Sequence, residues 1–182
     1  FRKNNILTDK PTISFDSAKT HLKSLIENSV EQKMQSDVDM GCLLSSGIDS
    51  SLIASIVTKF YKKKLHTFSL GYDDDLYDES KDAKKIASSI NSNHKTIIFD
   101  NSSILELVND IGNQYCEPFS DSSQIPTLFL SKFVSKNVKV CFSGDGGDEL
   151  FAGYNRYINN EKILSIYEKN SFTNNILFKI IS

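Results

Sequence analysis

Serine, glycine and aspartate gather at two places in this chain. The first is Leu43 to Ser51, LLSSGIDSS, and the second is Phe142 to Tyr157, FSGDGGDELFAGYNRY. Small residues let backbone amides close on the oxygens of an anion, and Ser45, Ser46, Ser50 and Ser51 can add hydroxyl donors. Asp49 would repel a bare phosphate, so its presence inside such a turn points to a bridging Mg²⁺. The second turn sets Gly144, Gly146 and Gly147 among Asp145 and Asp148. That much glycine costs conformational entropy, which makes sense where a ligand must lie against the backbone. The plainer alternatives are a serine-capped helix start for the first segment and an acidic turn without a ligand for the second.

The elements that must carry these turns are readable from the apolar pattern. Met40 to Leu44 is a short apolar run and predicts a buried strand. From Ser50 onward, Leu52, Ile53, Ile56, Val57 and Phe60 recur at helical spacing. The first turn therefore joins a strand to a helix, where free N–H groups and the positive end of the helix dipole meet. Val138 to Ser143 predicts the strand that leads into the second turn. Elsewhere, Leu22, Leu25, Ile26 and Val30 predict a helix capped by Asp16 or Ser17. Leu65 to Gly71 and Lys95 to Phe99 predict two more strands. Ala83, Ile86, Ala87 and Ile90 form a helical stripe behind a cap at Asp78, and Ile104, Leu105, Leu107, Val108 and Ile111 suggest another helix. Pro126 suits the first turn of a helix that carries Leu128, Leu130 and Phe133. This alternation predicts an α/β fold, a parallel sheet with helices on both faces. In such sheets ligands bind beyond the carboxyl ends of the strands, and both turns follow strands.

The first turn lacks the lysine of the G-x-x-x-x-G-K-[ST] phosphate loop and does not fit the dinucleotide G-x-G-x-x-G. Ser45-Ser46-Gly47-Ile48-Asp49-Ser50 resembles instead the PP-loop, S-G-G-x-D-S, of enzymes that split ATP into AMP and pyrophosphate. Ser46 stands where that family has glycine. If the position needs positive φ, serine is strained there; if it needs only close approach, serine fits. SGDGGDELFAGYNRY resembles the signature of glutamine-hydrolysing asparagine synthetases and their β-lactam synthetase cousins. Glu117-Pro118-Phe119-Ser120-Asp121-Ser122-Ser123-Gln124-Ile125-Pro126-Thr127 is also similar to that family and lies between the two turns, as expected. The resemblance runs from about Phe15 to Tyr157.

What the resemblance implies is specific. The fold would be the adenine nucleotide alpha hydrolase-like (PP-loop) fold. ATP would bind with its pyrophosphate in Ser45 to Ser51, with Mg²⁺ near Asp49 and Asp148. Leu44 and Leu70 match positions that contact the nucleotide through the backbone, and Ser143 and Gly144 match a second contacting pair. Aspartate's carboxylate would attack the α-phosphorus to give β-aspartyl-AMP and pyrophosphate, and ammonia from glutamine would then displace AMP and form asparagine. Asp49 and Asp145 are the candidate catalytic residues. Asp145 stands where many members have a glutamate that helps deprotonate ammonia. The pocket around Glu117 to Thr127 would lie near the amino-acid substrate. Residues 1–14 would be a linker from an N-terminal glutaminase domain, 15–157 the synthetase domain, and 158–182 the start of a helical C-terminal part. A homodimer is compatible with this reading. Two alternatives stand beside it: amidation of another carboxylate, such as a sugar acid in polysaccharide assembly, and a non-catalytic module that binds ATP or AMP.

Composition narrows the classes. The chain has 182 residues, 39% of them hydrophobic and 24% charged, as in a soluble globular domain. A net charge of −2, with Arg2 and Arg156 the only arginines, argues against a nucleic-acid surface. No apolar run approaches the roughly 20 residues of a membrane span. Cys42, Cys116 and Cys141 have no paired spacing for zinc or a disulfide framework, and Cys42 and Cys141 sit in apolar strand runs. Asp73-Asp74-Asp75 lacks the ligand spacing of a calcium loop. His21, His66 and His94 form no evident cluster with a nucleophile. With no signal peptide at its start, the chain is expected in the cytoplasm.

Overall fold

A computed structural model of the chain describes residues 13–74, 78–117, 120–157 and 159–160, apart from the side chains at 101–103, 106 and 109. Most of the expected linker at 1–14, and most of the expected helical part at 158–182, lie outside the described residues. The elements run α1 (Phe15–Lys33), β1 (Met40–Leu43), α2 (Ile48–Phe60), β2 (His66–Tyr72), α3 (Ser80–Ser89), β3 (Asn93–Phe99), α4 (Asn101–Gln114), α5 (Gln124–Ser135), β4 (Val140–Phe142) and α6 (Gly147–Phe151). The chain divides into two compact units between Ser143 and Gly144.

In the first unit the four strands form one sheet in the order β3-β2-β1-β4. Every pair is parallel: Gly41 faces His66, Gly41 also faces Cys141, and Phe68 faces Lys95. The order reverses beside β1. In open α/β sheets that reversal is where a crevice opens at the carboxyl ends of the strands.

Side-chain alternation along the strands explains the two layers of helices. On one face, Cys42 and Leu44 join Val30 of α1, Ala54, Ile56 and Val57 of α2, and Ala83 and Ala87 of α3 in a single buried cluster. On the other face, Phe68 packs with Val134 and Phe133 of α5. Phe99 packs with Leu107 of α4 and Leu128 of α5. Cys42 and Leu44 stand two residues apart, and Phe99 pairs with Tyr72, four residues along β2 from Phe68, so each set keeps to one face as the two-residue pleat requires. Phe68 is wholly buried and meets the Phe133 ring edge-on, with centroids 6.1 Å apart. Burying such a side chain contributes about 1.5–3 kcal/mol.

Two caps differ from the sequence expectation. Helix α1 begins at Phe15, and its cap is Ser14, whose hydroxyl accepts from the Ser17 amide at 3.2 Å. Asp16 and Ser17 lie inside the first turn, because the helix starts before its buried stripe does. The N-cap of α3 is Glu79, not the expected Asp78, but Asp78 just before it still supports the helix start: its Oδ1 accepts from the Ser80 amide at 3.0 Å and from the Tyr72 amide at 3.4 Å. The Ser80 hydroxyl and these amides lower the Asp78 pKa. Strand β2 therefore ends pinned to the start of α3.

Candidate active site

The PP-loop lies between β1 and α2, as the sequence predicts, on the carboxyl edge of the sheet. It is held open by its own serines. Ser45 and Ser50 pair through their hydroxyls at 2.8 Å, and the Ser45 amide donates to Ser50 Oγ at 3.1 Å. The Gly47 amide donates to Ser45 Oγ at 3.1 Å. The Ser51 hydroxyl turns back onto the Gly47 carbonyl at 2.6 Å. These hydroxyls, expected as ligand donors, set the shape of the loop. Glycine suits position 47 because an added Cβ would come within 3.1 Å of Ser45 Oγ. Helix α2 starts at Ile48 with Gly47 as a cap that makes no side-chain hydrogen bond, so no side chain shields its first amides.

Asp49 stands in the first turn of α2 and is half-buried. A carboxylate there is favoured by the helix dipole whether or not a metal is present. Ser46 is not among the described residues with positive φ, which are Asn91, Ala152 and Gly146. Strain therefore plays no part at Ser46. Its amide and hydroxyl both donate to Glu79 Oε2, at 3.3 Å and 2.6 Å. Sequence reasoning missed Glu79, which is 33 residues away with no motif to mark it.

Leu44 and Leu70 occupy neighbouring strands. The Leu44 amide donates to the Phe68 carbonyl at 2.8 Å, extending the ladder past β1. The Leu44 carbonyl accepts from the buried Ser69 hydroxyl at 2.5 Å. Ser69 is thus a second residue the sequence did not flag, and it fixes the backbone where β1 becomes the loop. Leu70 pairs with Ile97 across the sheet, and its side chain joins the Phe99 cluster. Ser143 follows β4, the strand beside β1, and is the last residue of the first unit.

Of the stretch Glu117 to Thr127, Pro118 and Phe119 lie outside the described residues. Asp121 accepts from the Ser123 amide and hydroxyl at 2.8 and 2.7 Å, which lowers its pKa and builds the turn into α5. His66 and His94 stand at the opposite, amino edge of the sheet, where His94 Nδ1 meets Thr67 Oγ1 at 2.9 Å. A hollow of about 230 Å³ between β3, α4 and α5 is lined by Ile97, Phe129 and the Lys132–Asp110 ion pair. It includes none of the candidate site residues expected from the sequence.

The second unit contains Gly144, Asp145 and Asp148. Gly146 has φ 88°, a left-handed conformation that favours glycine, and it leads into the short helix α6. Asp148 lies in the first turn of α6, with its carboxylate against Gly153: a Cβ at 153 would fall 1.9 Å from Asp148 Oδ1. The Gly153 amide donates to the Asp148 carbonyl at 3.0 Å. The Tyr154 hydroxyl donates to Glu149 Oε1 at 2.7 Å, which lowers the Glu149 pKa and pushes the Tyr154 pKa up to about 12. Arg156 stacks on the Tyr154 ring at 4.2 Å. Among the described residues no group of three or more His, Cys, Asp or Glu side chains could hold a metal ion.

Comparisons with known proteins bear on the fold and on the family. Two solved structures share the fold: NMN synthetase from Francisella tularensis, at a TM-score of 0.52 and 19% identity over 74% of this chain and 58% of that one, and an NH3-dependent NAD synthetase from Campylobacter jejuni, at 0.50 and 18% over 74% and 60%. The fold is the PP-loop fold. Among curated proteins, a Methanocaldococcus jannaschii protein provisionally named asparagine synthetase (glutamine-hydrolyzing) 2 is 38% identical over 138 residues, which is 75% of this chain and 27% of that protein. Asparagine synthetase (glutamine-hydrolyzing) 1 of Bacillus subtilis is 34% identical over 142 residues, 78% of this chain and 22% of that protein. The chain thus spans about a quarter of the length of these relatives. The family model for asparagine synthase matches residues 21–171, so the chain belongs to the asparagine synthase family.

Proposed function

We propose that this chain is the ATP-using part of a glutamine-dependent asparagine synthetase, which converts aspartate, ATP and ammonia to asparagine, AMP and pyrophosphate. The observation that carries the reading is a PP-loop turn, Ser45 to Ser50, set between a parallel strand and a helix start in a member of that family. A carboxylate is a poor acyl donor. Adenylation gives it a good leaving group, and the charge that gathers on pyrophosphate then needs donors held ready.

The residues would divide the work as follows. The Ser46 amide and the first turn of α2 receive pyrophosphate oxygens, and Gly47, whose amide donates to Ser45 Oγ, lets the loop close around them. The Ser45–Ser50 pair keeps that cradle in shape before the ligand arrives. Leu44 and Leu70, with Ser143 and Gly144, contact the nucleotide through the backbone. Asp145 takes the proton from ammonia, over a shorter reach than the glutamate of other members. Asp49 and Asp148 are the carboxylates proposed for Mg²⁺. Magnesium is usually held by one or two carboxylates together with substrate phosphates, so a half-buried Asp49 beside a phosphate cradle suits it without a three-acid cluster. When bound, the ion would neutralise charge on the departing pyrophosphate.

Residues 1–14 are read as the link to a glutaminase domain, 15–157 as the synthetase domain and 158–182 as the start of its helical completion. A homodimer and a cytoplasmic location go with that reading. Among the described residues no helix is long and apolar enough to cross a membrane. The test is pyrophosphate release by the 182-residue chain with aspartate, Mg-ATP and ammonium. Release that depends on aspartate supports the reading. Release indifferent to aspartate but raised by another carboxylate points to a different acceptor, and ATP binding without release points to a sensing module.

A further inference from the structure

We propose that Glu79 is a counter-anion built into the PP-loop: its carboxylate competes with nucleotide phosphate for the Ser46 amide and hydroxyl, and so sets the affinity of the loop from within. This rests on the reading of the loop as a phosphate cradle.

One carboxylate oxygen of Glu79 takes both Ser46 donors, the amide at 3.3 Å and the hydroxyl at 2.6 Å. An amide has a single hydrogen, so a phosphate oxygen can take it only after Glu79 Oε2 gives it up. The two anions also repel each other at that range. The shorter contact is the one to the hydroxyl, and it exists only because residue 46 is serine. Glycine at this place would leave the carboxylate with the amide alone. Serine here is therefore not a strained replacement but the anchor of the competing group.

Glu79 has no other capping duty that would explain its position. It sits at the N-cap of α3 yet makes no side-chain cap hydrogen bond to its own helix. The adjacent residue Asp78 does that work, through the amides of Ser80 and Tyr72. This fixes the backbone that carries Glu79 to the end of β2, which lies beside β1 in the sheet. The Glu79 side chain itself is exposed, so it can swing away when a stronger anion arrives.

The test is calorimetric titration of the 182-residue chain with Mg-ATP and, separately, with inorganic pyrophosphate. Glu79→Ala should tighten both by about three- to tenfold, the scale of a charge-assisted contact at an exposed site. Glu79→Gln, which keeps the shape and loses the charge, should tighten them by less. Ser46→Gly should tighten binding only while Glu79 is present, so the two substitutions together should gain no more than Glu79→Ala alone. Unchanged or weaker binding in Glu79→Ala, with the unaltered chain still binding, would overturn the proposal and leave the cradle reading standing. No binding by any of the five chains would overturn both.

Discussion

Replacing Ser69 with alanine removes one oxygen atom from the middle of the sheet and, with it, a donor to the Leu44 carbonyl. Ser69 is 2% exposed, and its hydroxyl lies 2.5 Å from that carbonyl. Leu44 is itself only 4% exposed, so water has little access to replace the bond. A net buried hydrogen bond contributes about 1 kcal/mol, and leaving a buried acceptor short of its donor costs about 1–3 kcal/mol. The volume lost is too small to add a large cavity cost. The expected destabilisation is about 1–2 kcal/mol, which for a chain of this size lowers Tm by about 2–8 °C. Urea denaturation measures it, and the slope with denaturant should not change, because the surface exposed on unfolding stays the same. The same carbonyl begins the PP-loop, so affinity for Mg-ATP should fall as well. A loss of stability under about 0.5 kcal/mol would show that the Leu44 carbonyl does not depend on this hydroxyl.

Further outcomes are expected at the cysteines and at a strand glycine. Burial pushes the Cys42 thiol up to about 12 and the Cys141 thiol up to about 11, while Cys116 is exposed. Iodoacetamide at pH 8 should label Cys116 first and Cys42 only on unfolding, as read by mass spectrometry of peptides; prompt labelling of Cys42 in the folded chain would contradict its place in the core. Because the folded pKa of Cys42 is raised from 9.0, its contribution to stability is full below about pH 9 and is lost as pH rises toward 12. Gly41→Ala would put a Cβ 2.7 Å from Phe68 Cε2 and 3.0 Å from Val138 Cγ2. Overpacking of that kind costs about 1–3 kcal/mol in a thermal or urea melt, and a neutral result would mean that the Phe68 ring shifts freely.

The local elements were legible because their signals are local. The apolar run at Met40 and the helical stripe from Leu52 to Phe60 give β1 and α2, and the serine-glycine turn between them could only be a strand-to-helix junction. Edges were less legible. Strand β4 starts at Val140 and not at Val138 because its partner β1 starts at Met40, opposite Val140, a limit set by the partner strand and not by the Val138–Ser143 pattern. Strand β3 begins two residues before Lys95, where Asn93 and His94 pair with His66 and Thr67. The contacts that shape the site were not legible at all. Glu79 reaches Ser46 and Ser69 reaches Leu44 across sequence gaps that only the pairing of β1 with β2 closes. Of the two readings open at Ser46, strain and close approach, the backbone angle removes the first, and the contact with Glu79 lay beyond the reach of the sequence for the same reason.

The central claim is that Ser45 to Ser50 and Asp49 form a metal-dependent nucleotide site. The most direct measurement is calorimetric titration of Mg-ATP into the chain and into its Asp49→Asn variant, each with and without magnesium. Asparagine keeps the shape and the first-turn position but loses the charge that a cation needs. Affinity should fall by about 2–4 kcal/mol in the variant, on the scale of a charged group removed from a buried pair, and the gain that magnesium brings should shrink with it. Equal affinity in the two chains, with the same dependence on magnesium, would contradict the account.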